Sequence, residues 1–304
     1  DPLVPDAHHR GSCLCVVADQ GGLVHAESHP EPAAADMGRW APLPSLGTII
    51  EWRQASPPHL IVLVDREGAD LILYRGASEP VLEEVKAGRH PLHKARSGGW
   101  SERHHQLRVE ERWKESASNV ASEVAQLAKA YDVRVVAVAG DTRTVELLRS
   151  ALPTEVAELV VGIDGSRAVD GSTDAVADAS VRAVASVVAS DTTDALRKFH
   201  EQLGEGNRAV QGAAGTLGAL AGSQVGLLMV HEDPDDGRQA FFGPEAHQVA
   251  GTAEDVRAMG VAEPRQARLV DVCIRAALGT GAGVRVVPRG GGPEGGVGAI
   301  LRWS

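Results

Sequence analysis

Lys86–Lys114 reads KAGRHPLHKARSGGWSERHHQLRVEERWK, and the fold turns on what stands to either side of it. The stretch holds eight Lys and Arg residues (Lys86, Arg89, Lys94, Arg96, Arg103, Arg108, Arg112 and Lys114) and four histidines, His90, His93, His104 and His105. Only Glu102, Glu110 and Glu111 oppose them. The segment therefore carries +5, while the whole 304-residue chain carries −11, which leaves −16 on everything else. A cationic stripe on an anionic body is the footprint of a directed contact with a polyanion. Such a contact weakens with salt, because each phosphate met releases condensed counterions.

Upstream of the stretch, Leu60–Val64 and Leu71–Tyr74 flank the turn Asp65-Arg-Glu-Gly-Ala69, with Gly68 supplying the backbone freedom of a tight hairpin. Val81–Val85 adds a third strand, and residues 86–100 follow as a loop. Downstream, Ser101 is placed to cap a helix. Residues 102–131 contain no Gly or Pro, and Trp113, Ala117, Val120, Val124, Leu127 and Tyr131 recur at alternating steps of four and three. That helix would be roughly 45 Å long. Its charges lie in the first turns and its apolar stripe in the last, so it is anchored by its C-terminal half and presents the other. Val133–Ala139 reads as a buried strand, Thr142–Ala151 as a short helix and Leu159–Ile163 as a further strand. This β-α-β alternation predicts an α/β sheet with at least partly parallel strands.

The flanking regions have their own punctuation. Ser12–Ala18 and Leu23–Ala26 read as an antiparallel pair about Gly21-Gly22. A Pro/Ala-rich connector, residues 29–48, leads to a short apolar piece at Ile49–Trp52, and Pro57-Pro58 closes the region. The polar linker DGSRAVDGSTD, residues 164–174, marks the next boundary. Beyond it come a long helix at 174–203 with a possible bend at Ser190–Asp194, a helix at Arg208–Ala221, and strands at Val225–Val230 and Gln239–Phe242. A short helix near Ala253–Met259, a helix at Arg265–Leu278 and strands at Val284–Val287 and Val297–Trp303 complete the chain. The fold class is α/β: a multidomain chain of mixed β-sheets with helices packed on them. The expected division is 1–56 as a partial N-terminal domain, 57–165 as a middle domain with the Gly-Gly-Trp loop and long helix, and 166–304 as a C-terminal α/β domain. The chain starts at Asp1 with no methionine, from which residues upstream are expected.

Composition narrows the classes. Aromatics make up 3% of the chain, so Val, Leu and Ala must fill the core. Cys13, Cys15 and Cys273 form neither a disulfide framework nor a zinc ribbon, and a reducing cytoplasm fits them. No apolar run approaches the roughly 20 residues of a membrane helix, and no signal-peptide pattern opens the chain.

The loop Ser97-Gly98-Gly99-Trp100-Ser101 has two readings. Gly-Gly lets a backbone approach a ligand closely, and an aromatic at the tip can stack on a base. Alternatively, Trp100 packs on the first helical turns as a hydrophobic staple. His90, His93, His104 and His105 could supply imidazoles to a metal, but nothing else completes a ligand set, and RNA-facing or solvated histidines fit better. The Gly-rich loop at 290–298 lacks the Lys-Ser/Thr of a phosphate loop and reads as a hairpin connection. Asp141 and Asp164 follow strands, where α/β enzymes place carboxylates, yet turn formation explains them equally well. The acidic turn His231–Asp236 can face a cation or a basic partner, or simply water. No nucleophile elbow, zincin motif or Cys-His pairing stands out, and no cofactor is expected.

The run Lys94-Ala-Arg96-Ser-Gly98-Gly99-Trp100-Ser101, then Gln106-Leu-Arg108-Val-Glu110-Glu-Arg112, resembles the catalytic loop and following helix of the archaeal and eukaryotic class-one peptide-chain release factors. There a basic loop ends in Gly-Gly-Gln, followed by Ser and a long helix. Gln224-Val-Gly-Leu-Leu-Met229, Ala277-Leu-Gly-Thr-Gly-Ala282 and Gly296-Val-Gly-Ala-Ile-Leu-Arg302 are similar to segments of the third domain of that superfamily. The likeness spans roughly residues 57–304 and is nearer to the bacterial branch of the release-factor/Pelota superfamily, which includes the Balon-type ribosome hibernation factors.

The resemblance implies release-factor/Pelota-like middle and C-terminal domains. It also implies a cytoplasmic ribosome-binding factor that occupies the A site and meets ribosomal RNA near the peptidyl-transferase region. The residues it points to are Lys94, Arg96, Gly98, Gly99, Trp100, Arg103, His104, His105, Arg108 and Arg112. An elongation-factor-type GTPase is an expected partner of the C-terminal domain; a membrane is not. One departure matters. Trp100 stands where release factors have the glutamine that places a water at the ester of peptidyl-tRNA, and an indole offers one donor and no acceptor. Gln106 lies nearly two helical turns away and does not replace it. The expectation is occupancy without peptide release, hence no enzyme. The alternatives are a peptidyl-tRNA or RNA-ester hydrolase and a free tRNA- or RNA-binding module.

Overall fold

The computed structural model describes residues 13–29, 36–65, 68–76, 81–86, 117–165, 173–204 and 208–303. They fall into two compact units, one within residues 56–187 and the other combining residues from 1–55 and 188–304.

The first unit is a five-stranded mixed sheet. Strands β3 (His59–Val64) and β4 (Gly68–Tyr74) form the expected hairpin, in register from His59↔Tyr74 to Val64↔Ala69. Its turn is held by Asp65, whose Oδ1 accepts from the Gly68 N–H at 2.9 Å. Strand β5 (Val81–Lys86) pairs antiparallel with β4. On the other side of β3, strands β6 (Val135–Ala139) and β7 (Val160–Ile163) run parallel, giving the order β5-β4-β3-β6-β7. All five residues of β6 are buried, as a central strand covered on both faces requires. Helix α2 (117–130) lays Val120, Ala121, Val124, Leu127 and Ala128 against Leu60, Val62, Leu71, Leu73, Val136 and Val138. Helix α3 (Thr142–Ala151) and the single turn α4 (Thr154–Ala157) link β6 to β7.

The second unit is built on a sheet of order β13-β9-β14-β8. Strand β9 (Val225–Val230) is central. It is parallel to β13 (Gly283–Val286) and antiparallel to β14 (Val297–Leu301), which also pairs with β8 (Ala209–Gln211). Helices α6 (Gly212–Ala221) and α8 (Leu269–Gly279) enclose the core with it, through Leu217, Leu220, Val272, Cys273 and Ala276. A small antiparallel sheet, β11 (Val249–Ala250), β10 (Gln239–Phe242) and β12 (Arg265–Arg268), lies beside α7 (Ala253–Ala258). Helix α5 (Thr173–Gly204) contributes residues to both units, and its Phe199 packs with Met229, Val287 and Ile300 in the second. The N-terminal hairpin β1 (Cys13–Asp19) and β2 (Gly22–His29) is antiparallel, and α1 (Gly47–Ala55) follows it.

Several sequence expectations are corrected. Arg208–Ala221 is not one helix. Residues 209–211 pair with β14, and Gly212, at φ +77°, turns the chain into α6 only after them. Arg265–Leu278 is likewise a strand followed by a helix. Arg265–Arg268 completes the ladder on β10, and Arg268 keeps an extended backbone at the helix start. Residues 290–298 do not close a hairpin, because β9 lies between β13 and β14. Helix α5 runs through 190–194 as one element. Thr192 and Thr193 fold their hydroxyls onto the Val188 and Ala189 carbonyls, at 2.9 and 2.8 Å, within the continuous α5.

Candidate nucleic-acid interface

The ten residues singled out from the sequence, Lys94, Arg96, Gly98, Gly99, Trp100, Arg103, His104, His105, Arg108 and Arg112, lie outside the described residues, as does the first part of the expected long helix. What the structure gives is the frame on which residues 87–116 are hung. The segment leaves from β5, where Lys86 pairs with Gly68 at the end of the ladder. It rejoins at α2, whose apolar stripe from Ala117 onward is the one expected from the sequence, while Trp113 lies outside the described residues. Val120 and Val124 are fully buried, while Ser118, Asn119, Ser122 and Gln126 face water. Both ends of the cationic segment thus join one unit, the first at the β4–β5 ladder and the second at the helix packed on that sheet.

The far end of α2 is closed by a tight stop. Asp132 takes a positive φ of 51°, and the Val133 N–H reaches back to the Ala128 carbonyl at 3.0 Å. Tyr131, the last residue of the predicted stripe, is half-buried. Its hydroxyl accepts from Arg75 at 3.2 Å, and the guanidinium carbon lies 4.5 Å from the ring centre.

Asp141 serves the local fold. Its Oδ1 accepts from the Thr144 N–H at 3.1 Å and its Oδ2 from the Thr144 hydroxyl at 2.6 Å, the geometry of an N-cap. Asp164 is exposed beyond β7. The acidic turn at 232–236 is largely paired internally, with Glu232 to Arg268 (2.6 Å), Asp233 to Arg289 (2.7 Å) and Asp236 to Arg238 (2.6 Å). Among the described residues, no group of three or more His, Cys, Asp or Glu is arranged to hold a metal. No described helix is long and apolar enough to cross a membrane.

In the second unit a shallow cavity of about 530 Å³ lies over Gly290–Gly292, between His200, His231 and Arg289. Arg289 Nε donates to His231 Nε2 at 2.7 Å, so the His231 proton sits on Nδ1, 3.2 Å from the Val287 carbonyl.

Sequence reasoning passed over a buried ionic cluster there. Arg268 donates to Asp271 at 2.9 and 3.1 Å as well as to Glu232, and Ser45 donates to Asp271 at 3.3 Å. Burial pushes the Glu232 carboxyl up; the Arg268 hydrogen bond and charge oppose this, while Asp271 and Glu51 add to it, and the net shift is upward. Burial works against the Arg268 charge, but the hydrogen bonds and charges of its two carboxylates prevail and hold its pKa above the usual value. The i,i+3 spacing of Arg268 and Asp271 was the available signal, hidden by reading both residues into one helix.

Residues 58–205 match the family described as Bacterial archaeo-eukaryotic release factor family 2. Over this segment, just under half of its length, the chain is similar to the bacterial branch of the release-factor superfamily. An uncharacterized protein of Mycobacterium tuberculosis H37Rv is 27% identical over 303 residues, covering 99% of this chain and 80% of that protein. The archaeal translation termination factor aRF1 aligns with 96% of this chain and 76% of its own, at 18% identity and a TM-score of 0.30. Pelota of Archaeoglobus fulgidus aligns with 85% of this chain and 68% of its own, at 16% identity and a TM-score of 0.37. The family match spans β3 to the end of α5 and so contains the whole cationic segment.

Proposed function

We propose that this release-factor-family chain is a ribosome-binding hibernation or stress factor. Its cationic segment occupies the A site beside ribosomal RNA and releases no peptide. The observation that supports the reading is a +5 segment with Gly98-Gly99 and Ser101, which joins a hairpin to a helix inside the family match. By the sequence resemblance, Trp100 stands where release factors have glutamine. The cations Lys94, Arg96, Arg103, Arg108 and Arg112 meet phosphates, and His104 and His105 lie beside them. Gly98 and Gly99 allow close approach, and Trp100 stacks. In this reading an elongation-factor-type GTPase delivers the chain through the second unit.

Co-sedimentation with vacant ribosomes and with ribosomes carrying peptidyl-tRNA, across a salt series, tests it. Stoichiometric binding that falls with salt is expected. The double change Arg108→Glu and Arg112→Glu is expected to weaken binding and flatten the salt slope. Failure to sediment with either ribosome, together with binding to free tRNA, would leave only the RNA-binding module.

A further inference from the structure

We propose that Glu232 is a proton-controlled latch for α1: the helix seats on the second unit while the carboxyl is protonated, and ionisation releases it. The latch is independent of ribosome binding.

Its geometry is a shortage of positive charge in a closed space. The side chains of Arg268, Glu232 and Asp271 are 5%, 7% and 1% exposed, and one guanidinium serves both carboxylates. Arg268 donates to Glu232 Oε1 at 2.6 Å and to the two oxygens of Asp271 at 2.9 and 3.1 Å. The other Glu232 oxygen, Oε2, is buried without a hydrogen-bond partner. It lies against Gly47, the first residue of α1, where a Cβ would overlap the carboxylate. Although Oε2 borders the first turn, it accepts none of the N–H groups there, so the helix does not compensate its charge as a cap would. An ionised carboxylate that keeps one oxygen dry and unpaired is costly, and either a proton or access to water relieves it.

The surrounding charges do not make up the shortfall. Burial is the largest influence and pushes the Glu232 carboxyl up; Arg268 opposes it, while Asp271 from α8 and the exposed Glu51 from α1 itself add to the rise. Arg39, ahead of α1, lies 4.0 Å from Asp271, and Asp233 beside Glu232 is matched by Arg289. Seating α1 therefore both buries Glu232 and brings Glu51 toward it.

The latch holds more than one helix. Leu46 and Ile50 pack on the second unit's core, and the Gln54 amide bonds the N–H and the carbonyl of Val286 on β13. Arg53 pairs with Glu27 at 2.8 Å and Trp52 stacks on His29, so the N-terminal hairpin is tied to α1. Release bares the β13 edge at Val286 and frees the hairpin with the helix.

Hydrogen exchange of the full chain over roughly pH 4–8, corrected for the intrinsic pH dependence of exchange, tests the latch. The opening constant of α1 is read at the Ile50 amide, bonded to the Leu46 carbonyl, and at the Val286 amide, bonded to Gln54. It should stay flat below 4.5, rise by up to about tenfold per pH unit above it, the limit for one proton, and level off once Glu232 is ionised in the seated form too. The Leu228 amide of β9 should keep its protection, because α1 opens and the sheet does not. Glu232→Gln should abolish the pH dependence, and Glu51→Lys, at an exposed position, should shrink the total rise. No rise in the wild type, a rise that persists in Glu232→Gln, or an equal loss of protection at Leu228 overturns the proposal. If Glu232→Gln does not fold, an opening curve unchanged by Glu51→Lys overturns it instead.

Discussion

A glutamine side chain both donates and accepts hydrogen bonds, whereas the indole of Trp100 has a single N–H. Water cannot be held and oriented by an indole as it is by an amide. Trp100→Gln is therefore expected to gain peptide release above the wild-type background, measured as labelled peptide freed from peptidyl-tRNA on ribosomes. A second residue-scale prediction concerns Arg268, which is buried with both of its carboxylate partners. Arg268→Met leaves Asp271 and Glu232 uncompensated and is expected to cost about 3–5 kcal/mol in denaturant unfolding. Glu232 also gives a pH signature. Its folded pKa is raised above the ordinary 4.5, chiefly by burial, so the folded chain holds this proton more tightly than the unfolded one. The stability from this site is complete below 4.5 and is lost as pH rises through the raised value. Glu232→Gln should remove that slope, so thermal midpoints of wild type and variant should converge at the acid end and separate above it.

At the scale of elements, α1 and α2 each make a specific attachment. The Gln54 amide of α1 completes the edge of β13 as a neighbouring strand would, with bonds of 2.8 and 3.1 Å to Val286. Gln54→Ala should cost about 1–3 kcal/mol and speed amide exchange at Val286. Val124 of α2 is fully buried, and Val124→Ala removes two methyl groups and leaves a cavity, a loss of about 2 kcal/mol measurable in the same unfolding experiment. These elements differed in how well they could be read. The α2 stripe, the β3–β4 hairpin and the five apolar residues of β6 announce themselves, because side-chain period and burial agree there. The strands at 209–211 and 265–268 did not, because each is short, joins a helix directly, and owes its state to a partner distant in sequence. Arg265 and Arg268 look like helix-face cations until β10 is there to pair with them. Residues 36–46 read as a connector, since their Pro/Ala-rich composition shows nothing of the core on which Leu43 and Leu46 pack. For the candidate site, Lys94 to Arg112 offer charge and motif in the sequence alone, and the structure adds the two attachments at Lys86 and residue 117.

The whole molecule combines an anionic body with a cationic segment whose two ends join one sheet-and-helix unit. That arrangement favours a chain that steers toward RNA with one part and repels it with the rest, which limits how it can seat. In the proposed reading the segment keeps Gly98-Gly99 and its positive charge, and Trp100 replaces the hydrolytic amide. Peptide release measured on ribosomes that are saturated with the wild-type chain and carry peptidyl-tRNA is the most direct test. The account predicts full occupancy with release no faster than on ribosomes alone; release that rises in proportion to bound chain would contradict it.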